Sequence, residues 1–332
     1  MEVLVCGGAG YIGSHAVAAL LEQGHSVIVF DSLEKGKRAA VLPPAQLVVG
    51  DLRSPAEIGK VFADHKIDAV LHFAAYSLVG QSVETPAEYY RNNVTGTQNL
   101  LDAMRDAGVL RIVFSSTAAV YGEPEHIPIT EEQKTEPTSP YGESKLAVEK
   151  MLKWYDRAYG IKYIALRYFN VAGAHPGGKI GEDHNPETHL IPIVLGAALG
   201  KTDGIKIFGG DYDTKDGSCV RDYIHVMDLI DAHILALNKL HEAGAASQTY
   251  NLGYGRGFSN LEIVQAAKKI TEVDIKVEMA PRRPGDPSVL IASPEKAIRE
   301  LGFSPRYDSL EAIISSAWKF HKTHPNGLEG NP

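Results

Sequence analysis

The chain has 332 residues, 44% of them hydrophobic, and this composition excludes a disordered protein. Its 33 basic and 41 acidic residues give a net charge of −8, which argues against binding to nucleic acid or to an acidic membrane surface. Cys6 and Cys219 form no CxxC pair, and no apolar run is long enough to span a bilayer. Without a signal-peptide pattern, we expect a cytoplasmic protein.

Short apolar runs alternate with helical patterns through the first half of the chain. The runs lie at 3–6, 26–30, 46–49, 69–73, 111–115 and 163–167, and the clearest helical patterns lie at 13–23, 87–107 and 141–159. Because the runs are apolar throughout, they predict parallel strands that are buried on both faces. After residue 170, the stretch 175–187, rich in Gly, Pro, His and Asp, and the similar stretch 209–217 predict long polar loops.

A glycine-rich turn follows the first predicted strand. Gly7, Gly10 and Gly13 form a G-x-x-G-x-x-G pattern that opens a helix. Such a turn lets the backbone approach a pyrophosphate, and the helix N-terminus provides amide donors. Asp31, at the end of the second run, suits a ribose diol and disfavours a 2′-phosphate, so we expect NAD rather than NADP. Asp51, after the third run, is expected near the adenine, with a simple turn cap as its alternative.

The stretch from Ser139 to Lys145 predicts the start of another helix. Ser139 suits an N-cap and is followed by proline, so Tyr141 and Lys145 lie one helical turn apart. An ammonium group near a phenol favours the phenolate, which makes Tyr141 a candidate general base. An ordinary amphipathic surface helix is the alternative. Thr117, at the end of the fifth run, is expected to bind a substrate hydroxyl beside Tyr141.

Further motifs accompany these residues. They are HFAAYSLVGQSV at 72–83, NNVTGT at 92–97, SSTAAVYG at 115–122, ALRYFNVAGAHP at 165–176 and DGSCVRDYIHVMDL at 216–229. Over nearly its whole length the chain resembles the extended short-chain dehydrogenase/reductases that act on nucleotide sugars, and the last two motifs resemble the epimerases among them.

The resemblance implies an α/β fold with a Rossmann-type doubly wound parallel sheet and a smaller mixed α/β C-terminal domain that binds the substrate. We expect an NAD-binding domain at 1–170, joined by about 222–252, a UDP-sugar domain at 171–221 and 253–325, and a frayed tail at 326–332. The implied activity is 4-epimerisation of a UDP-hexose through a 4-keto intermediate, with bound NAD as the cofactor. The family also implies a homodimer formed through the helices near 87–107 and 141–159.

The resemblance assigns residues to three roles. The expected catalytic residues are Tyr141, Lys145 and Thr117. The expected cofactor-binding residues are Gly7, Gly10, Tyr11, Ile12, Gly13, Asp31, Asp51, Leu52, Phe73, Ala74, Ala75, Asn93, Ser115, Tyr141, Lys145, Tyr168 and Phe169. The expected substrate-binding residues are Thr117, Tyr141, Asn170, Arg221, Arg283, Asp286 and Leu290. Because a diphosphate that enters an acidic protein needs local guanidinium groups, Arg221 and Arg283 suit this role on chemical grounds too.

Some positions leave questions open. Ser77 stands where some relatives carry a lysine near the nicotinamide, and Leu290 is intermediate in size where the family controls acceptance of N-acetyl sugars. His184 and His189 superficially resemble metal ligands, but hydride chemistry needs no metal and we predict none. A 4,6-dehydratase is the closest alternative, although Ala118 and Ala119 supply no proton-transfer group after Thr117. A non-catalytic NAD-sensing protein is the other alternative.

Overall fold

The computed structural model describes residues 1–283 and 287–328. The strands are β1 (Glu2–Cys6), β2 (Ser26–Asp31), β3 (Gln46–Val49), β4 (Ala69–His72), β5 (Arg111–Thr117), β6 (Lys162–Tyr168), β7 (Asn170–Ala172), β8 (Ile205–Phe208), β9 (Val220–Arg221), β10 (Tyr223–His225), β11 (Gln248–Leu252), β12 (Phe258–Ser259), β13 (Val277–Ala280) and β14 (Val289–Leu290).

The helices pack on and around these strands. They are α1 (Tyr11–Glu22), α2 (Pro55–Asp64), α3 (Val79–Glu84), α4 (Pro86–Tyr89), α5 (Gly96–Ala107), α6 (Pro140–Tyr159), α7 (Leu190–Ala198), α8 (Val226–Leu240), α9 (Asn260–Thr271), α10 (Glu295–Leu301) and α11 (Leu310–Thr323). In the described part of the chain, no helix is both long and apolar enough to cross a bilayer.

Seven of the described strands form one parallel sheet in the order β11-β6-β5-β4-β1-β2-β3, which confirms the predicted fold class. Successive residues of β1 face opposite layers of helices. Val3 and Val5 pack with α1 and α8, whereas Leu4 and Cys6 pack with α2, α5 and α6. Burial on both faces explains why the central strands are continuously apolar.

The third strand differs from the prediction. β3 lies at the edge of the sheet, and Val49 is 51% exposed, so the expectation that this run is buried on both faces is wrong. The predicted helix at 87–107 also differs, because a π-helical segment, Tyr90–Thr95, separates α4 from α5. Within that segment the main-chain carbonyl of Asn93 accepts a hydrogen bond from the Thr97 hydroxyl at 2.6 Å.

The second half of the chain forms small sheets, in which β7 pairs with β10, β8 with β13, and β9 with β12 and β14. Helices α7, α9 and α11 pack around a separate apolar cluster there. The domain boundaries stay a prediction, although the large sheet takes its last strand, β11, from 248–252. Residues 329–332 of the expected tail lie outside the described residues, and the amide of Leu328 donates to Asp183 at 2.8 Å.

Candidate active site

The glycine-rich turn is as tight as its sequence predicts. Gly7 has φ of +79°, and a Cβ atom there would lie 2.6 Å from the amide nitrogen of Ala74. A Cβ atom on Gly13 would lie 2.1 Å from the carbonyl oxygen of Gly7. Gly10 is different, because the nearest atom to its Cβ position is 3.4 Å away. The fold itself therefore requires Gly7 and Gly13, while Gly10 leaves room for a ligand to approach the backbone.

The glycine turn leads directly into α1. Gly10 is the N-cap of this helix, with extended backbone, and Tyr11 and Ile12 begin it. The first amides of a helix have no partners inside the helix, so they are available to an anionic ligand. The Tyr11 hydroxyl donates to the carbonyl oxygen of Gly173 at 2.7 Å. The turn is thereby tied to the loop that follows β7.

Asp31 ends β2 and is held beside the glycine turn. Its carboxylate accepts hydrogen bonds from the amides of Ala9 at 2.9 Å and Leu33 at 2.8 Å. Burial raises the pKa of Asp31, and these two amides act in the opposite direction. The carboxylate has acceptor capacity beyond these two bonds, as a ribose diol requires. The free acceptor capacity of Asp31 and the glycine turn beside it together fit a dinucleotide with a free 2′-hydroxyl.

Asp51 has a partner that the sequence analysis missed. Its carboxylate binds Arg53, whose Nη2 lies 2.6 Å from Oδ2 of Asp51, and these hydrogen bonds are the main reason that the pKa of Asp51 is lowered. The same guanidinium contacts Glu34 at 3.0 Å and the Tyr76 hydroxyl at 3.2 Å. The proposed adenine contact of Asp51 stays a prediction. Leu52, its neighbour, is buried in the core beneath.

Asn93 joins two parts of the site. Its side-chain oxygen accepts from the Tyr76 amide at 2.8 Å, and its Nδ2 donates to the Tyr76 carbonyl and to Ser144 Oγ, both at 3.0 Å. These bonds fix the segment that contains Phe73, Ala74 and Ala75 relative to α6. In this arrangement Asn93 positions the loop after β4. Its bond to Ser144 depends on tertiary packing and has no local sequence signal.

The start of α6 forms as predicted. Ser139 Oγ accepts a hydrogen bond from the Gly142 amide at 3.2 Å, and proline occupies the first turn. The Thr117 side chain interacts with the Tyr141 hydroxyl and lowers the pKa of the phenol, in opposition to burial. Lys145 Nζ donates to the main-chain oxygen of Ser115 at 2.8 Å. The helix thus brings both residues to the carboxyl end of β5, where the sequence analysis placed them.

Burial controls the titration of this pair. It raises the pKa of Tyr141 to about 12, and the Thr117 side chain acts in the opposite direction. It lowers the pKa of Lys145 to about 7, while Glu149 favours the charged form. Without a bound cofactor, burial therefore opposes the stabilisation of the Tyr141 phenolate that was expected from Lys145. The two pKa values are shifted in the directions expected for groups removed from water.

The end of β6 continues the same edge of the sheet. Burial and the nearby Tyr141 raise the pKa of Tyr168, whereas the Ser115 side chain acts in the opposite direction. Ser115 Oγ also lies 3.3 Å from Nε2 of His233, whose ring is 4.9 Å from that of Phe73. His233 lies within the apolar helix α8, so no local sequence signal identified it. The ends of β4, β5 and β6 are thus linked through one buried histidine.

The expected substrate residues follow on β7, β9 and β14. Asn170 begins β7, and Arg221 on β9 is opposite Leu290 on β14 in the parallel register. Arg221 is 9% exposed, and its guanidinium donates to the main-chain oxygen of Val220 at 2.9 Å. Leu290 and Phe169 pack against a small apolar cluster, which consists of Val120, Tyr121, Ile129 and Leu146.

Of the remaining two expected substrate residues, the structure describes Arg283, which follows β13. The Arg283 guanidinium is 4.1 Å from the ring centre of Phe208, the last residue of β8. Phe208 is an aromatic partner that the sequence analysis missed, although the alternation of apolar and polar residues at 205–208 and the glycine pair after it were visible. Asp286 lies outside the described residues.

Comparisons with known proteins agree with this architecture. Residues 3–253 match the profile of the NAD dependent epimerase/dehydratase family. The chain is 56% identical to a UDP-glucose 4-epimerase of Halalkalibacterium halodurans, with 98% of this chain and 97% of the relative covered.

Two solved structures are similar over almost the whole chain. A crystal structure of a UDP-glucose 4-epimerase has a TM-score of 0.97 and 54% identity, covering 98% of this chain and 99% of the other. The enzyme of Bifidobacterium longum, in complex with NAD+ and UDP, has a TM-score of 0.93 and 39% identity, covering 98% and 100%. The chain belongs to the NAD dependent epimerase/dehydratase family. This confirms the family resemblance predicted from its sequence motifs.

Proposed function

We propose that this chain is an isomerase that interconverts UDP-glucose and UDP-galactose by NAD-dependent 4-epimerisation. The observation that carries the proposal is the buried group of Tyr141, Lys145 and Thr117 at the carboxyl end of β5. It occurs in a chain that is similar over its whole length to UDP-glucose 4-epimerases.

In the proposed mechanism, Tyr141 removes the proton from the sugar 4-hydroxyl and later returns it. Thr117, whose side chain favours the ionised form of Tyr141, is placed to hold that sugar hydroxyl beside the phenol. Lys145 is held by the main chain of β5, so its ammonium stays fixed when the phenol loses its proton. The chemistry that bound NAD would supply is reversible hydride transfer at C4, and a positive charge on its nicotinamide ring would favour the phenolate of Tyr141.

The residues that would hold NAD are those at the carboxyl ends of the first strands. The turn at Gly7, Gly10 and Gly13 with the first amides of α1 suits the pyrophosphate. Asp31 suits the ribose of the adenosine half. Asn93 holds the loop after β4 in place through its two hydrogen bonds to the main chain of Tyr76.

The UDP group would anchor the sugar during the reaction. Arg221 and Arg283 would supply guanidinium groups for the diphosphate, and Asn170 on β7 is expected to contribute an amide group. An anchor that is independent of the sugar lets the 4-keto ring turn over, so that hydride returns to its opposite face. Binding energy from UDP is then used to retain the intermediate.

Two other functions are disfavoured by specific residues. A 4,6-dehydratase needs an additional acid and base, but Ala118 and Ala119 follow Thr117, and the Ala119 amide is bonded to the Thr117 hydroxyl at 3.1 Å. A methyl group transfers no proton. An NAD-sensing protein has no need of a buried tyrosine and lysine at the reacting end of the sheet. The intact pair of Tyr141 and Lys145 therefore favours catalysis.

We further propose that UDP-N-acetyl sugars are weaker substrates. Leu290 and Phe169 pack against the same apolar cluster, and leucine is smaller than tyrosine but larger than serine. The acetamide group therefore has partial room at this position.

A homodimer is also proposed, through the helical segment 86–107 and α6. Tyr90, Trp154 and Tyr159 on these helices are 44%, 62% and 47% exposed. Large exposed aromatic residues are typical of protein interfaces.

The test uses the purified protein without added cofactor. Bound NAD should be released on denaturation, and incubation with UDP-galactose should give UDP-glucose. The matched control is the Tyr141→Phe protein, which should keep NAD and lose turnover. A folded, NAD-loaded protein that converts neither sugar would overturn the proposal. Formation of a 4-keto-6-deoxy sugar would instead identify a dehydratase.

A further inference from the structure

The loop between β7 and α7 brings together four residues that the proposed mechanism does not use. They are Glu182, His184, Glu187 and His189, called here the 182–189 cluster, and one donor atom of each lies within 4.8 Å of all the others. From the sequence, His184 and His189 were predicted to bind no metal. The structure places Glu182, two residues before His184 in the sequence, next to both histidines.

The distances within the cluster suit a small metal ion. Nδ1 of His189 lies 2.9 Å from Glu182 and 3.0 Å from Glu187, measured to Oε1 of each. Nδ1 of His184 lies 3.3 Å from Oε1 of Glu182 and 3.8 Å from Oε2 of Glu187. Four ligands about 2.0–2.1 Å from a tetrahedral zinc ion lie about 3.3–3.4 Å from one another. The observed distances bracket this value.

Burial distinguishes the cluster from a surface ion pair. The Glu182 side chain is 5% exposed, and within the described residues both histidine rings face it. Nδ1 of His184 is buried and makes no hydrogen bond of acceptable geometry in the described part of the chain. A buried carboxylate needs a cationic partner, and a buried ring nitrogen needs a donor, an acceptor or a metal.

We propose that the 182–189 cluster binds one divalent transition metal ion of the zinc class. Two imidazoles and two carboxylates are ligands that zinc accepts, and four protein ligands are typical of a structural site. The ring of His184 is 6.2 Å from that of Tyr11, edge to face, and Tyr11 begins the helix of the glycine turn. The metal therefore fastens the loop after β7 against the cofactor end of the sheet.

The experiment titrates Zn²⁺ into the NAD-loaded protein after chelator treatment and desalting. Calorimetry and elemental analysis should give about one zinc per chain. His189→Ala should weaken zinc binding by more than about 100-fold, because loss of a ligand costs more than loss of an outer partner. The His189 side chain is 42% exposed, so this variant should fold. His126→Ala, which removes an exposed histidine elsewhere, is the matched control and should bind zinc normally.

Two more measurements separate binding at this site from other binding. Co²⁺ in place of zinc should give the intense visible absorption of a tetrahedral ion, and zinc should slow amide hydrogen exchange over 175–189. Bound NAD and circular dichroism establish that each variant is folded. Absence of zinc binding by the folded protein would overturn the proposal. Equal zinc affinity in His189→Ala, or a weak octahedral cobalt spectrum, would overturn it as well.

Discussion

The ammonium group of Lys145 donates a 2.8 Å hydrogen bond to the main-chain carbonyl of Ser115, inside the protein. The same ammonium lies 4.9 Å from the ring centre of Phe114. These contacts fix its position but do not offset its removal from water, and its pKa falls from 10.5 to about 7. A charged lysine is therefore held at the site at a cost to stability below that pKa.

This cost predicts a pH dependence of stability. Between pH 7 and 10.5, the unfolded chain binds the Lys145 proton more strongly than the folded protein, so this residue makes stability rise with pH. Lys145→Met should remove that rise, which is on the order of 5 kcal/mol for the full shift. Denaturant unfolding at the two ends of the window measures it. Lys153→Met, at an exposed position of α6, is the control, and parallel pH profiles of Lys145→Met and the unmodified protein would contradict the prediction.

Tyr141→Phe should retain NAD and lose activity by about 10² to 10⁴-fold in kcat, because the proton of the 4-hydroxyl has no acceptor. Steady-state turnover of UDP-galactose measures the loss. Tyr159→Phe, on the exposed end of the same helix, should behave like the unmodified enzyme. Near-normal turnover by a folded Tyr141→Phe protein would remove this residue from the mechanism.

Two glycine substitutions should have different effects. Gly13→Ala should lower stability strongly, since its Cβ would lie 2.1 Å from the Gly7 oxygen. Gly10→Ala should leave the melting temperature nearly unchanged, because its Cβ meets only an atom at 3.4 Å, but should weaken NAD binding. Melting curves and fluorescence titration with NAD separate the two effects. Equal NAD affinity in Gly10→Ala would show that this glycine does not face the pyrophosphate.

Asp31→Asn combined with Ser32→Arg should shift cofactor preference toward NADP. The asparagine keeps an acceptor for the Ala9 amide and removes the charge that repels a 2′-phosphate, and the arginine at the exposed position 32 adds attraction. The ratio of dissociation constants for NAD and NADP is the measurement. Asp31→Asn alone isolates the repulsion. An unchanged ratio in the double variant would place the 2′-hydroxyl away from Asp31.

Leu290→Tyr should depress activity on UDP-N-acetylgalactosamine more than on UDP-galactose. Overpacking commonly costs ~1–3 kcal/mol, and only the larger sugar meets the added ring. The comparison is made as kcat/KM for both sugars. Leu290→Met, which nearly conserves volume, is the control. If both sugars lose equally, Leu290 does not wall the sugar pocket.

Sequence-based prediction succeeded where a short local pattern determines the secondary structure. The apolar runs predicted the strands through β6, and the serine and proline at 139–140 predicted the start of α6. Short strands such as β9 and β14 have two residues each and show no periodicity, so they were not predicted. The bond between Arg53 and Asp51 was missed because the sequence analysis considered only a ligand for that carboxylate. The contact of His233 with Ser115 depends on tertiary packing across the sheet.

The position of β11 has a consequence for synthesis on the ribosome. This strand pairs with β6, but residues 169–247 separate the two along the chain. The sheet is therefore incomplete until translation has passed residue 252 and the segment has left the exit tunnel. Until then β6, with four consecutive buried residues in the finished protein, is an open edge that exposes unpaired main-chain groups. Chaperones that shield nascent edges are expected to act in this interval, because pairing over such a distance is slow.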